Sequence, residues 1–175
     1  PQYYPKPDEG VMGAIYRESK QVRETAGICD VSTLGKIELF GDDAGEFLNR
    51  LYINGWKMLA PGKARYGVML REDGYVFDDG TTSRLADDHY FMTTTTANAA
   101  RVLAHMEHAS QVLWPELDVH FCSATEQWCG VAVAGPNSRA ILEATFGDAL
   151  DLSNEALPFM GVRTFDWNGT TARIF

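Results

Sequence analysis

Apolar and polar residues recur along this chain on two different periods. Between Glu9 and Thr25, residues Val11, Ala14, Ile15, Glu18 and Val22 fall at roughly helical spacing, which predicts a helix that stops at Gly27. Ile28–Ser32 reads as a short buried segment with a polar centre, where Asp30 and Ser32 satisfy backbone donors locally. Lys36–Phe40 alternates with period two, as a half-buried strand does. Gly41-Asp42-Asp43 turns the chain into a second helix, Ala44–Tyr52, with Phe47, Leu48 and Leu51 on one face. The acids at its start suit the helix dipole. Pro1–Asp8 reads as irregular, and Asn54–Lys63 as a loop carrying Trp56, Pro61 and Gly62.

Two apolar runs then flank Glu72-Asp73-Gly74. An Asp-Gly pair in that setting predicts a hairpin. Its second arm, Tyr75-Val76-Phe77, runs straight into two carboxylates, Asp78 and Asp79, before Gly80. Asp is a poor strand residue and is costly to bury without partners. A strand continuing into Thr81-Thr82-Ser83 sends one of these side chains to the packed face and the other away from it. The pair is the first candidate for chemistry; the bland alternative is a turn with backbone-bonded side chains.

Further on, Ala86-Asp87-Asp88 is a turn and His89–Thr96 a β-branched strand. Ala97–Val112 is the longest helix pattern, with Ala100, Val102, Leu103, Met106 and Val112 as its apolar positions. Leu117–Phe121 and Trp128–Ala134 read as strands, and Arg139–Thr145 as a short helix capped by Asn137 or Ser138. Leu157–Phe159 is a short apolar run. Gly161–Asp166 and Thr170–Phe175 flank Asn168-Gly169, a second hairpin signal. This order is α+β, with antiparallel sheets packed against the helices at Glu9–Thr25 and Ala97–Val112.

Composition narrows the function classes. The chain of 175 residues is 45% hydrophobic and 22% charged, with a formal net charge of −9. No basic run is present, so nucleic acid and anionic membrane are poor partners. No apolar run approaches membrane-spanning length. Three cysteines, Cys29, Cys122 and Cys129, fit a reducing compartment better than a disulfide framework. The acids lack calcium-loop spacing. His105 and His108 read as a solvated helix face with no companion ligand, so no metal is expected. No glycine-rich phosphate loop appears. Both ends read as cuts through something longer, since the chain starts Pro-Gln-Tyr-Tyr and stops inside a strand-like run.

An ordered set of motifs resembles a known family. Val22–Ser32, Gly41-Asp42-Asp43-Ala44, Asn54, the Gly62–Leu70 run, Gly74–Asp79 and Gly135-Pro136 resemble the aminomethyltransferase (glycine-cleavage T-protein) fold over nearly the whole chain. Asp30–Ile37, Tyr66–Leu70, Asp78-Asp79-Gly80 and Thr125–Trp128 resemble more closely the C-terminal folate-binding part of heterotetrameric sarcosine oxidase alpha subunits. The resemblance implies a bacterial, cytoplasmic oxidoreductase. Its flavin centre oxidises the N-methyl group of sarcosine, and this domain binds tetrahydrofolate, which captures the one-carbon unit as 5,10-methylenetetrahydrofolate and releases glycine. FMN, FAD and NAD would belong to the rest of that complex, and the beta, gamma and delta subunits would be the partners.

Residue by residue, the resemblance makes Asp79 catalytic and places Tyr66, Asp78, Thr95 and Asn54 around the pterin. Tyr66 would wall the flat heterocycle. Thr95 stands where the aminomethyltransferases typically carry Asn, so a hydroxyl replaces an amide there. Loop support is the larger share of what is expected of Asn54. The resemblance also implies that residues 1–175 are the N-terminal part of the domain. Relatives continue into a segment whose Glu grips the pterin. Two alternatives stay open: a non-catalytic scaffold that packs subunits, and an aminomethyltransferase-type domain of a different amine-oxidising enzyme.

Overall fold

The computed structural model describes residues 5–175. Part of the stretch expected to be irregular, residues 1–4, lies outside the described residues; Pro7–Glu9 form a turn. Helix α1 spans Gly10–Glu24, as its periodicity predicts, but among its residues only Ala14 is buried. Strand β1, Gly27–Asp30, follows and pairs antiparallel with β7, Val131–Ala134. This ribbon corrects the expectation of a buried segment at Ile28–Ser32: Ile28 is 77% exposed, and Val131 on the partner strand is 57% exposed. Helix α1 packs against β1, but a two-stranded ribbon has little sheet around it to cover its faces. The local bond expected at its end is present: Asp30 Oδ1 accepts the Ser32 amide at 2.8 Å.

The main sheet has five strands: β2 (Gly35–Phe40), β3 (Lys63–Leu70), β4 (Val76–Ala86), β5 (His89–Thr94) and β6 (His120–Ser123). Their spatial order is β3-β4-β5-β2-β6, and every neighbouring pair is antiparallel. Strand β2 lies inside the sheet, between β5 and β6, and is more buried than the half-buried strand its alternation predicts: Gly35, Lys36, Ile37 and Leu39 are buried, Glu38 is half-buried and only Phe40 is exposed. Lys36 is 5% exposed and donates its ammonium protons to the Ser32 and Leu34 carbonyls at 2.8 Å each. Glu38 receives Arg173 at 2.7 Å from the last strand, β9 (Thr170–Ile174), and the Arg173 guanidinium lies over the rings of Phe91 (4.8 Å) and Trp128 (4.2 Å).

The core lies on one face of this sheet. Ile37 and Leu39 of β2, Met69 of β3 and Met92 of β5 meet Phe47, Leu48 and Leu51 of α2 (Ala44–Leu51), together with Val102 and Met106 of α3 (Ala99–His108). Phe47 touches the rings of Trp114 and Phe121, each at 5.8 Å between centroids. Truncating an aromatic so enclosed typically costs about 3–5 kcal/mol.

Several element boundaries differ from the sequence reading, each for a local reason. Strand β5 stops at Thr94, and the helix expected over 97–112 begins only at Ala99, after a tight turn at Thr96–Asn98. Asn98 uses its side chain to bond Phe77 and Asp78 rather than to cap the helix. Beyond His108 the helix widens, and the Trp114 amide reaches back to the Ala109 carbonyl at 2.8 Å. The strand expected at 117–121 runs instead from His120 to Ser123. Asp118 is drawn off to the start of α2, where its amide donates to Asp43 Oδ2 at 2.9 Å and its carbonyl accepts the Asp43 amide at 3.1 Å. Helix α4, Ser138–Phe146, lacks the expected side-chain cap; the Asn137 amide donates to the Thr25 carbonyl instead. Leu157 is buried, but Phe159 is 92% exposed. The last hairpin, β8 (Arg163–Trp167) and β9 (Thr170–Ile174), turns at Asn168 and Gly169 with φ of 53° and 80°, the signs a type I′ turn needs.

His105 corrects the reading of a solvated pair. His108 is exposed, but the His105 ring packs against Phe77 at 5.2 Å, and burial holds its pKa down. All three cysteines are free and exposed.

Two predictions follow from this packing. Gly80 passes so close to β5 that a Cβ there would collide with the Thr93 carbonyl oxygen. Gly80→Ala should therefore destabilise the domain by about 1–3 kcal/mol in urea unfolding; an unchanged midpoint would contradict this packing. At the other end of the chain, Arg17 binds the Glu9 carboxylate through both Nε (2.6 Å) and Nη2 (3.0 Å). That pairing, with the Lys6 amide, lowers the Glu9 pKa from 4.5 to about 2. A depressed carboxylate stabilises the fold above its ordinary pKa and ceases to as pH falls through its folded value. Protection of the amides at the start of α1, measured against their intrinsic exchange rates, should thus fall between pH 4.5 and about 2, and Glu9→Gln should abolish that acid step.

Candidate active site

The site forms where β4 leaves the turn at Glu72–Gly74. The β3–β4 register pairs Met69 with Asp78 but Leu70 with Val76, so Phe77 is an extra residue on β4. This bulge re-aims the carboxylates that follow it. Asp78 turns to the core side and is 4% exposed. Its Oδ1 accepts Asn98 Nδ2 at 3.2 Å, and its Oδ2 accepts the Thr95 amide at 3.2 Å. Asn98 Nδ2 also donates to the Phe77 carbonyl at 3.0 Å. Both oxygens of this buried carboxylate are thereby engaged within the chain, as burial requires.

Asp79 takes the opposite face, as the period of two demands. Val68 is its partner on β3, and Tyr66 is the partner of Thr81, so Tyr66 lies diagonally across the same face. The Tyr66 hydroxyl donates to Asp79 Oδ2. That bond, then desolvation and the charges of Asp79 and Asp78, raise the Tyr66 pKa, which keeps the phenol protonated as a donor. The Tyr66 ring remains 51% exposed, so its surface is free to meet a planar ligand. Behind β4, burial pushes the Tyr52 pKa up; the Thr82 hydroxyl counters it, and the two Asp charges add to it.

The remaining expected residues are tied to the backbone. Asn54 Oδ1 accepts the Val68 amide at 2.9 Å, and the Ile53 amide donates to the Val68 carbonyl at 3.1 Å. Asn54 therefore closes the outer edge of β3, the loop support expected of it. Thr95 is exposed, and its amide rather than its hydroxyl reaches Asp78. Thus Tyr66 and Asp79 meet directly, Asp78 and Thr95 meet on the reverse side, and Asn54 sits at the edge.

Three participants were not legible beforehand: Asn98, Thr81 and Thr93. The Thr81 amide donates to Thr93 Oγ1 at 3.1 Å, and the two hydroxyls are 3.1 Å apart. Asn98 stands in an Ala-rich helix start, where Asn has a ready explanation as a cap. The repeated threonines of β5 look like ordinary strand residues.

The arrangement provides one carboxylate held by a phenol on an open sheet face beside threonine hydroxyls. It can accept a proton and stabilise a developing positive charge. Two surface depressions, one along α1 at Glu18, Ser19, Val22 and Arg23 and one between Asp42, Lys57, Arg84 and Tyr90, lie away from it. Among the described residues, no cluster of three or more His, Cys, Asp or Glu is placed to hold a metal ion. No described helix is long and apolar enough to cross a membrane.

Comparison with known proteins bears on this geometry. Sarcosine oxidase subunit alpha of Rhizobium meliloti (strain 1021) is 55% identical over 150 residues, covering 86% of this chain and 15% of that protein. Sarcosine oxidase subunit alpha of Corynebacterium sp. (strain U-96) is 52% identical over 176 residues, covering 99% of this chain and 18% of that protein. The chain thus spans less than a fifth of the length of these curated relatives. The crystal structure of glycine cleavage system aminomethyltransferase T from Bartonella henselae superposes with a TM-score of 0.73 at 27% identity, over 85% of this chain and 38% of that one. The family model of the GCVT N-terminal domain matches residues 1–175, and the chain belongs to that family.

Proposed function

We propose that this chain is the tetrahydrofolate-binding part of a sarcosine oxidase alpha subunit, and that Asp79 serves the capture of the one-carbon unit. The observation that carries this reading is the pairing of Tyr66 with Asp79 on the open face of the sheet, in a chain 55% identical to a sarcosine oxidase alpha subunit. The flavin of the parent enzyme, bound outside these residues, would supply the two-electron oxidation that turns the N-methyl carbon of sarcosine into an electrophilic methylene iminium. One folate nitrogen attacks that carbon and loses its proton. The second nitrogen then closes the ring, and the glycine amine leaves. Both protons shed by the folate nitrogens end on that amine, so the transfer is balanced without an added oxidant. Asp79 accepts the first proton and offsets positive charge at the attacking nitrogen, while Tyr66 fixes the carboxylate and lies along the pterin. Thr95 supports the site from the reverse side through its amide on Asp78, and Asp78 and Asn54 hold its frame.

In this reading the remaining subunits, beta, gamma and delta, are partners of the longer polypeptide. FMN, FAD and NAD are bound outside these residues. The absence of a membrane-crossing helix among the described residues is compatible with a cytoplasmic enzyme.

The test uses the full enzyme complex that contains this sequence. Asp79→Asn should lower 5,10-methylenetetrahydrofolate formation by about 10²–10⁴-fold, the usual contribution of a positioned base. Sarcosine-dependent flavin reduction should change little, and formaldehyde should be released instead. Equal loss of both activities would make Asp79 a folding residue and overturn the proposal.

A further inference from the structure

We infer that Asn98 is a positioning residue for the one-carbon transfer, acting on Asp79 through Asp78; the inference rests on the functional reading above. It begins with a gap in the sheet. The backbone ladder between β4 and β5 is registered from Thr82 and Met92 onward, towards the Ala86–His89 turn. On the other side of that point, where β4 carries Asp78 and Asp79, side chains connect the strands. The Thr81 amide bonds the Thr93 hydroxyl, and the Asp78 carboxylate bonds the Thr95 amide. Gly80 lets the strands approach there without a clash. On its β5 side, the stretch that presents Asp79 is therefore held by side chains.

Asn98 is the side chain that ties this stretch to the start of α3. One amide nitrogen donates to two acceptors, the Phe77 carbonyl at 3.0 Å and Asp78 Oδ1 at 3.2 Å. The first acceptor belongs to the bulged residue, the point at which β4 can swivel. The second is the carboxylate next to Asp79 in sequence and on the opposite face. Fixing both sets the direction of the Asp79 Cα–Cβ bond. Asp78 needs these donors as well, because a buried carboxylate without its partners draws water or shifts the strand. Asn98 itself faces the core side of the sheet and does not reach the surface where Tyr66 and Asp79 meet. Its effect on the reaction is thus indirect.

The experiment compares three variants in the full enzyme complex, reading methylenetetrahydrofolate formed per sarcosine oxidised, with flavin reduction as the control. Asp79→Asn tests the functional reading itself. Asn98→Ala should lower the ratio about 10- to 100-fold, the cost of a small misplacement of a reacting group, while flavin reduction is retained. Asn98→Asp sets a second carboxyl against Asp78. Like charges that close disfavour double ionisation, so the pair retains a shared proton as pH falls. With that proton the introduced carboxyl donates to Asp78 through its single O–H and replaces one of the two bonds of the amide, the one to the Phe77 carbonyl staying lost. The ratio should therefore be low near pH 8 and recover in part, relative to wild type, towards about pH 6. A purely structural role does not produce such acid rescue. If Asp79→Asn leaves the ratio unchanged, the functional reading fails and this inference with it. If Asp79→Asn lowers the ratio but Asn98→Ala does not, or Asn98→Asp is not rescued by acid, only the inference on Asn98 is overturned. Loss of flavin reduction in both Asn98 variants also overturns it, by making Asn98 a folding residue.

Discussion

The Asp78 carboxylate is the constraint on which the candidate site depends. A charge this deeply buried is tolerated only when its oxygens are hydrogen-bonded. Asn98 and the Thr95 amide supply those bonds. In doing so they join the bulged end of β4 to the segment between β5 and α3. The neighbouring residue has no choice of face: with Asp78 fixed inward, the strand period sends Asp79 outward, where Tyr66 meets it. A buried anion thus sets the direction of an exposed one.

The two faces of the sheet divide the labour. One carries Ile37, Leu39, Met69 and Met92 and is closed by α2 and α3, a rigid support of the kind a positioned group needs. The other carries Tyr66, Asp79, Thr81 and Thr93 and stays open beside them, while the Arg173–Glu38 pair seats β9 further along. Rigidity comes from the covered face, and access comes from the open one. Helix α1, with five exposed large apolar side chains, and the β1–β7 ribbon contribute nothing to the core cluster that supports the site.

Much of the fold was legible because it follows from local chemistry. Asp73-Gly74 and Asn168-Gly169 both turn hairpins, and the pattern of Phe47, Leu48 and Leu51 marks α2. The opposed facing of Asp78 and Asp79 also followed from strand period alone. What escaped was decided by tertiary neighbours. Nothing local says that Ile28 and Val131 lie on a ribbon too narrow to bury them, or that Asp43 captures Asp118 and delays β6. Asn98 escaped for a related reason: its partners, Phe77 and Asp78, lie 21 and 20 residues away, and its position at a helix start already has a local explanation. The roles assigned to Asp79 and Tyr66 came from resemblance, since spacing alone admits a simple turn at the carboxylate pair.

The most direct measurement is a structure of the full enzyme complex with tetrahydrofolate bound. The account predicts the pteridine on the open face of the main sheet, alongside the Tyr66 ring. It predicts a folate nitrogen within hydrogen-bond reach of the Asp79 carboxylate, roughly 2.6–3.2 Å, and Asp78 still bonded to Asn98. A folate seated elsewhere on the molecule, or bound there with Asp79 out of reach of both reacting nitrogens, would contradict it.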